Sequence, residues 1–264
     1  MIPRDYITAW RREAPWIEDL QVEQDLVISR ALVEIFRQPI LRESLAFRGG
    51  TALYKLHIKP PARYSEDIDL VQVKAEPAGP VMNALREVLD PWLGTPRYKQ
   101  TEGRVTFVYR FASESSPPVP LHLKIEINTR EHFAVKGFVD ASFDVSSPWF
   151  REACDIKTYQ LDELLATKLR ALYQRRKGRD LFDLAVALRT KRPNADAIVE
   201  IFGAYMDHGG QPVSKTRFEE NLAAKRNNPA FAADVPPLLS PDYEWNCESM
   251  ADQVLDTLIA KLDR

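Results

Sequence analysis

The sequence predicts an α/β protein of the α+β kind, with a mixed sheet and flanking helices in its N-terminal part and a helical C-terminal part. Three observations support this fold class. Strand-like runs lie in the first half of the chain, at residues 105–111 and 120–128. Beyond residue 160, apolar residues recur at helical spacing. With 264 residues and 45% apolar content, the chain is long enough to form two domains.

Helices are predicted wherever apolar residues repeat every three or four positions. They cover residues 18–37, 79–92, 161–175, 179–189, 196–206, 216–225 and 248–262. The stretch from Val139 to Asp155 is aromatic and irregular, and we place the domain boundary within it. The predicted domains are therefore residues 1–152 and 153–264.

A glycine pair follows a short apolar run that indicates a strand, Leu45 to Phe47. Gly49 and Gly50 stand where this strand ends and a helix is predicted to begin. Glycine lets the backbone approach a ligand closely, and the free N–H groups of a helix start attract anions. Thr51 adds a hydroxyl, and Lys55 lies about one turn further on the same side. This pattern is typical of phosphate binding.

Two aspartates follow on the next predicted strand. Strand side chains alternate between faces, so Ser65, Asp67 and Asp69 share one side. Carboxylates at positions i and i+2 repel each other unless a cation lies between them. A hard divalent cation such as Mg²⁺ prefers oxygen ligands and often bridges them to substrate phosphates. The glycine turn and the acid pair together indicate nucleoside triphosphate chemistry.

The segments GGTALYK and RYSEDIDL closely resemble the motifs of AbiEii/AbiGii-type (MenT-like) toxins, a branch of the DNA polymerase β-like nucleotidyltransferase superfamily. The resemblance implies a nucleotidyltransferase fold for the N-terminal domain and a transferase that uses one or two Mg²⁺ ions. It also implies that Asp67 and Asp69 hold the metal. The alternative for these residues is a turn and an edge strand with solvated acids.

The strand predicted at residues 120–128 carries an acid, Glu126, opposite its apolar face. The superfamily places a third metal carboxylate on a strand beside the aspartate strand, so Glu126 is the candidate. The other interpretation is the solvated face of an amphipathic strand.

A basic stretch from Lys168 to Arg192 contains nine Lys or Arg residues and two Asp residues. Such local charge suits the phosphates of a nucleotide or an RNA. The toxin family carries a similar lysine, arginine and R-D-x-x-D-L pattern here, filled in this chain by Lys168, Arg175, Asp180 and Asp183. The resemblance implies that Lys168 holds the triphosphate across a cleft between the domains and that one of the two aspartates is required for activity. A solvated cationic face and helix-start charges are the alternatives.

The resemblance therefore implies a toxin of a toxin–antitoxin system that transfers a nucleotide, with a pyrimidine such as CTP favoured, to the 3′ acceptor end of tRNA and so blocks translation. Catalytic roles fall to Ser65, Asp67, Asp69, Lys168, Asp180 and Asp183. Nucleotide contacts fall to Gly49, Gly50, Thr51, Lys55, Arg63, Ser65, Lys168 and Arg175. A cognate antitoxin is implied as a partner.

Two other functions remain open from the sequence. One is a nucleotidyltransferase that modifies a small molecule or a protein side chain, and the other is a silent nucleotide-binding module. A net charge of −2 means that any nucleic-acid contact needs a local basic patch. Two distant cysteines, no secretion signal and no long apolar run predict a cytoplasmic protein without membrane contact.

Overall fold

A computed structural model describes residues 2–263. The chain divides into two compact units, one ending at Tyr159 and one beginning at Gln160. The first unit contains a mixed seven-stranded sheet with helices, and the second is helical. The predicted fold class is therefore confirmed.

The sheet places the strand with the two aspartates near its centre. Its strands are β1 (Leu45–Arg48), β2 (Asp67–Gln72), β3 (Arg97–Thr101), β4 (Arg104–Ala112), β5 (Pro120–Asn128), β6 (Phe138–Ser146) and β7 (Arg151–Tyr159). They are ordered β3-β4-β5-β2-β1-β7-β6. The β2–β5 and β1–β7 pairs are parallel, and the other pairs are antiparallel. Strand β2 thus lies between β1 and β5, with hydrogen-bonded neighbours on both sides.

Across β4 and β5 one face of the sheet is apolar and the other is more polar, because the burial of their residues alternates strictly. The apolar face carries the buried residues Val105, Phe107, Tyr109, Phe111, Leu121, Leu123, Ile125 and Ile127. Helix α2 (Asp19–Arg37) contacts β2, β5, β6 and β7, and the apolar residues along most of its length are buried. We call the opposite, polar face of β3, β4, β5 and β2 the outer face. It includes both predicted metal-binding aspartates.

Four shorter helices complete the first unit. They are α1 (Arg4–Trp10), α3 (Pro39–Ser44), α4 (Gly49–Ala52) and α5 (Gly79–Leu93). Helix α4 continues directly into a single π-helical segment, Leu53–His57. The predicted helix after the glycine pair is therefore present, although its second half is wider than an α-helix.

The expectation of an irregular stretch from Val139 to Asp155 was wrong. These residues form most of the β6–β7 hairpin, and the first unit extends to Tyr159, beyond the predicted boundary after residue 152. The hairpin gave a weak sequence signal because few of its residues are buried: Phe143 and Val145 in β6, and Ile156, Thr158 and Tyr159 in β7.

The second unit contains the predicted helices at nearly the predicted positions. They are α6 (Leu161–Gln174), α7 (Gly178–Lys191), α8 (Ala195–His208), α9 (Lys215–Arg226) and α11 (Cys247–Thr257), together with the short α10 (Pro229–Ala232). The last helix ends earlier than predicted, and a 3₁₀ turn at Ile259–Lys261 follows it. Within residues 2–263, no helix combines the length and apolar character needed to cross a membrane.

A buried carboxylate ties the N-terminal helices to the segment after the glycine turn. Asp25, on α2, accepts hydrogen bonds from the indole N–H groups of Trp10 at 2.8 Å and Trp16 at 3.4 Å. It also lies 2.6 Å from Nζ of Lys55 in the π-helical segment. Both side chains of this ion pair are largely buried, so either charge left alone would be costly.

We expect Asp25→Asn to lower the free energy of unfolding by about 3 kcal/mol, because it leaves the Lys55 ammonium without its charged partner. Urea unfolding followed by tryptophan fluorescence measures this, since Trp10 and Trp16 both contact Asp25. The matched control is Asp19→Asn on the same helix. Asp19 pairs with Arg11 at the surface, so its loss should cost less than about 1 kcal/mol. Equal effects of the two substitutions would contradict the assignment.

Candidate active site

The glycine turn and the aspartate strand meet at Gly49 and Asp69. Strands β1 and β2 are antiparallel, with Arg48 opposite Asp69, so the turn after β1 lies beside the acid. A Cβ atom built on Gly49 would lie 2.2 Å from Oδ2 of Asp69. Gly49 also has a φ of +83°, a backbone conformation that residues other than glycine rarely adopt. Sequence reasoning predicted this proximity, and only glycine allows it.

Both aspartates lie on the outer face, beside the acid predicted on β5. The parallel β2–β5 register places Asp67 beside Lys124 and Asp69 beside Glu126. The three predicted metal carboxylates therefore occupy neighbouring positions on one face of two adjacent strands. Glu126 lies on the strand where it was expected.

Lys124 lies between the carboxylates, a position that sequence reasoning did not assign to it. Its Nζ is 3.2 Å from Asp67 Oδ2 and 3.5 Å from Glu126 Oε2. Burial raises the pKa of Asp67, as do Glu66 and Glu126, while Lys124 opposes the increase. Burial would lower the pKa of Lys124, but Asp67 and Glu126 outweigh it and raise that pKa. Lys124 is thus an internal counter-ion of the acid cluster.

The aspartate pair fits a hard cation by its chemistry, since both ligands would be carboxylate oxygens. Glu126 already pairs with two cations. Lys124 Nζ lies 3.5 Å from Glu126 Oε2, and Arg104 Nη1 lies 3.5 Å from Glu126 Oε1. Across residues 2–263, no group of three or more His, Cys, Asp or Glu side chains is arranged to hold a metal ion. Asp67 and Asp69 are the acids of this face that could hold Mg²⁺, whereas Glu126 is paired with Lys124 and Arg104.

The hydroxyls of Thr51 and Ser65 connect α4 to the start of β2. Thr51 Oγ1 lies 2.9 Å from Ser65 Oγ and 2.5 Å from the carbonyl oxygen of Asp67. Thr51 is 1% exposed, whereas Ser65 is half-buried. These contacts hold the helix start against the aspartate strand, and Ser65 remains the more accessible of the two predicted phosphate contacts.

Lys55 and Arg63 line a cavity of about 180 Å³ in the first unit. Lys55 pairs there with Asp25, and Arg63 is buried, with its guanidinium 5.2 Å from the ring centre of Tyr54. The cavity wall also includes Thr51 and Ser65. Four of the predicted nucleotide contacts therefore border one cavity.

Arg48 is a residue of this site that sequence reasoning missed. It lies opposite Asp69 and forms an ion pair with Glu131 at 2.8 Å. Burial would lower its pKa, but Tyr159, Glu131 and Asp69 outweigh burial and raise it. The sequence feature that could have identified Arg48 as a site residue is its position directly before Gly49-Gly50. The guanidinium of Arg48 thus adds positive charge beside the glycine turn.

The predicted residues of the second unit form one ion cluster around two buried aspartates. Nζ of Lys168, on α6, lies 2.7 Å from Asp183 Oδ2 and 3.4 Å from Asp180 Oδ1. Arg175 contacts both oxygens of Asp180, at 2.6 and 2.7 Å. Both aspartates are fully buried and Lys168 is nearly so. Sequence reasoning selected these four residues, and the structure brings them together.

Other cations of the basic stretch also pair within the second unit. Arg179 donates to both carboxylate oxygens of Asp234, at 3.0 and 2.9 Å, and Lys177 lies 3.5 Å from the same side chain. Burial alone would raise the pKa of Asp234, but the Arg179 hydrogen bonds lower it to about 2. The stretch therefore exposes less unpaired positive charge than its sequence suggested.

Comparisons with known proteins show the family and the fold of this chain. The profile described as "Nucleotidyl transferase AbiEii toxin, Type IV TA system" matches residues 30–253. The structure is similar to the MenT4 nucleotidyltransferase toxin of Mycobacterium tuberculosis, with a TM-score of 0.66, 16% identity and coverage of 100% of this chain and 91% of that one. It is also similar to JHP933 from Helicobacter pylori, with a TM-score of 0.55, 18% identity and coverage of 93% and 94%. Comparison with curated proteins gave no match.

We expect Gly49→Ala to displace the Asp69 carboxylate and to lower the free energy of unfolding by about 1–3 kcal/mol, because the backbone there is left-handed and the new methyl group collides with Asp69. Thermal unfolding measures the change. Gly79→Ala, at the start of α5, is the control, since a Cβ there meets nothing within 4 Å. A Gly49→Ala protein as stable as the control would contradict the close contact.

We expect Lys168→Met to destabilise the protein by about 3 kcal/mol, because two buried aspartates lose their shared ammonium. Adding Asp183→Asn should recover most of that loss, since Arg175 still pairs with Asp180. Urea unfolding of the single and double variants tests this. A double variant that is less stable than Lys168→Met would show that Asp183 is held mainly by other groups.

Proposed function

Because this chain belongs to the AbiEii family of nucleotidyltransferase toxins, we propose that it transfers a nucleoside monophosphate from a nucleoside triphosphate to the 3′ end of tRNA. In this reaction the 3′-hydroxyl oxygen forms a bond to the α-phosphorus. The bond from that phosphorus to the β-phosphate oxygen breaks, pyrophosphate leaves, and the hydroxyl proton is released. The modified tRNA would no longer support translation, which accounts for toxicity.

The contact between Asp69 and Gly49 is the observation that carries this proposal. It brings a carboxylate proposed to bind metal next to a backbone turn that can approach phosphates closely. Arg48 and Lys124 lie on either side of the acids, each within ion-pair distance of a carboxylate. An acid pair next to a cation-flanked glycine turn suits a triphosphate better than a neutral ligand.

Each residue of the proposed site would have a role set by its position. Asp67 and Asp69 would hold one or two Mg²⁺ ions, which supply charge neutralisation for the phosphates. Backbone N–H groups at Gly49 and Gly50 would bind phosphate oxygens, with Ser65 beside them. Transfer depends chiefly on such positioning and electrostatic stabilisation.

Further residues keep their predicted roles in this proposal. Glu126 is the predicted third metal carboxylate. Thr51, Lys55, Arg63 and Arg175 are predicted nucleotide contacts, and Lys168, Asp180 and Asp183 are the predicted catalytic contribution of the second unit. The preference for a pyrimidine such as CTP and the cytoplasmic location rest on the family resemblance. The cognate antitoxin follows from membership in a toxin–antitoxin family.

One incubation separates the candidate acceptors. The protein is mixed with Mg²⁺, each of the four α-³²P-labelled nucleoside triphosphates in turn, total RNA and a cell lysate. Label on tRNA, removed by digestion of its 3′ end, supports the proposal. Label on protein or on a small molecule assigns the activity to another acceptor, and absence of label from every fraction contradicts transfer.

We expect Asp67→Asn and Asp69→Asn each to lower the transfer rate by at least about 100-fold, since each removes a negative ligand for the metal. Asp140→Asn is the matched control, because Asp140 is an exposed acid on β6 and is not part of the acid cluster. It should retain full activity. Transfer at the parental rate by the Asp67 variant would remove that residue from the metal site.

A parallel Glu126→Gln variant tests the third carboxylate. If Glu126 holds metal, the Mg²⁺ concentration needed for half-maximal rate should rise. If Glu126 only pairs with Lys124 and Arg104, stability should change and the Mg²⁺ requirement should not.

A further inference from the structure

We propose that the outer face of β3, β4 and β5 binds the phosphate backbone of the RNA acceptor. This inference rests on the proposed function, in which the acceptor is RNA, and it assigns the acceptor's location on the first unit. The cationic side chains of this face are Arg97, Lys99, Arg104, Arg110 and Lys124.

The strand registers place these cations on the same side of the sheet as the aspartates. Lys124 lies beside Asp67, and Val108 lies opposite both Lys124 and Arg97. Residues that are directly opposite across paired strands point to the same face. Arg97 and Lys99 on β3 therefore share the face of Asp67.

The cations are spread over the face and do not converge on one point. From β2 to β3 there are three strand spacings, or about 14 Å, and each of the strands β5, β4 and β3 carries at least one cation. Arg104 and Arg110 are offset along β4 from the line of Lys124 and Arg97, where β4 places Val108. A single phosphate needs convergent cations, whereas dispersed cations suit a backbone that carries one charge per nucleotide.

The cations of this face that lie farthest from the acids are exposed to solvent. Every residue of β3 is exposed, and Arg110 on β4 is exposed. Arg97, Lys99 and Arg110 form no ion pair among residues 2–263. By contrast, Lys124 and Arg104 pair with acids of the cluster. The unpaired charge on this face thus increases with distance from the acids.

The basic stretch of the second unit presents fewer unpaired cations than its sequence suggests. Of its nine cations, four are engaged with buried or half-buried carboxylates, namely Lys168, Arg175, Lys177 and Arg179. Removing a cation from a carboxylate to bind phosphate gains little net charge attraction. Among residues 2–263, no ion pair has to be broken before Arg97, Lys99 or Arg110 binds a phosphate.

The test compares two double variants that each remove two positive charges. Arg97→Ala/Lys99→Ala changes the outer face, and Arg4→Ala/Lys74→Ala changes exposed residues on α1 and in the loop after β2. Binding of fluorescently labelled bulk tRNA is measured from 0.05 to 0.3 M salt. Loss of two phosphate contacts should weaken binding by about 20-fold at 0.1 M salt and lower the salt slope by about 1.4. The control should differ little from the parent.

Kinetics give a second, independent readout. The Arg97→Ala/Lys99→Ala variant should show a raised KM for tRNA with unchanged KM for the nucleoside triphosphate. Transfer to a trinucleotide with a free 3′-hydroxyl, too short to reach β3, should proceed at the parental rate. The charge-preserving variant Arg97→Lys/Lys99→Arg should bind tRNA like the parent. Parental transfer to the trinucleotide by the alanine variant excludes misfolding as the cause.

The outcomes separate the two proposals. If tRNA is labelled but both double variants bind it equally, the outer-face inference fails and the proposed function stands. If no RNA is labelled and bulk tRNA does not bind, both fail. If the variant loses only binding to an acidic partner protein, the face is a protein interface and the inference is overturned.

Discussion

The first unit depends on one close contact, between the Asp69 carboxylate and the backbone at Gly49. Because β1 and β2 are antiparallel, the chain leaves β1 beside the acid and must turn at once. A left-handed residue without a side chain satisfies both requirements. The same turn starts α4, whose Thr51 hydroxyl contacts the carbonyl of Asp67. Backbone geometry, helix start and acid pair are therefore fixed by neighbouring residues.

This arrangement gathers negative charge that the fold must offset. Asp67, Asp69 and Glu126 lie on adjacent strands, and burial already raises the pKa of Asp67. Lys124 in the middle of the cluster opposes this increase in the pKa of Asp67. Lys124 thus provides a cation within the cluster where a metal site is proposed.

Local patterns predicted the parts of the fold whose signals lie within a few residues. The glycine turn, the Asp67–Asp69 alternation, the strand Pro120–Asn128 and the helices of the second unit all follow from periodicity or turn chemistry. Strand β3 gave no signal because all five of its residues are exposed. Pairings such as Asp25 with Lys55 join residues far apart in sequence. Only the folded register shows which charges meet, so the role of Lys124 could not be predicted.

The lysines selected from sequence as phosphate contacts share one property that changes their expected role. Lys55 pairs with Asp25, and Lys168 pairs with Asp180 and Asp183, so each belongs to a buried cluster containing carboxylates. A paired lysine offers hydrogen bonds but little net positive charge. The four negative charges of a nucleoside triphosphate and the backbone of an acceptor must therefore be balanced mainly by other groups. Arg97, Lys99 and Arg110 are cations of the first unit without such a carboxylate partner among residues 2–263, and they share the face of the aspartates. The pairing pattern thus separates cations that stabilise the fold from cations that the proposed substrate could use.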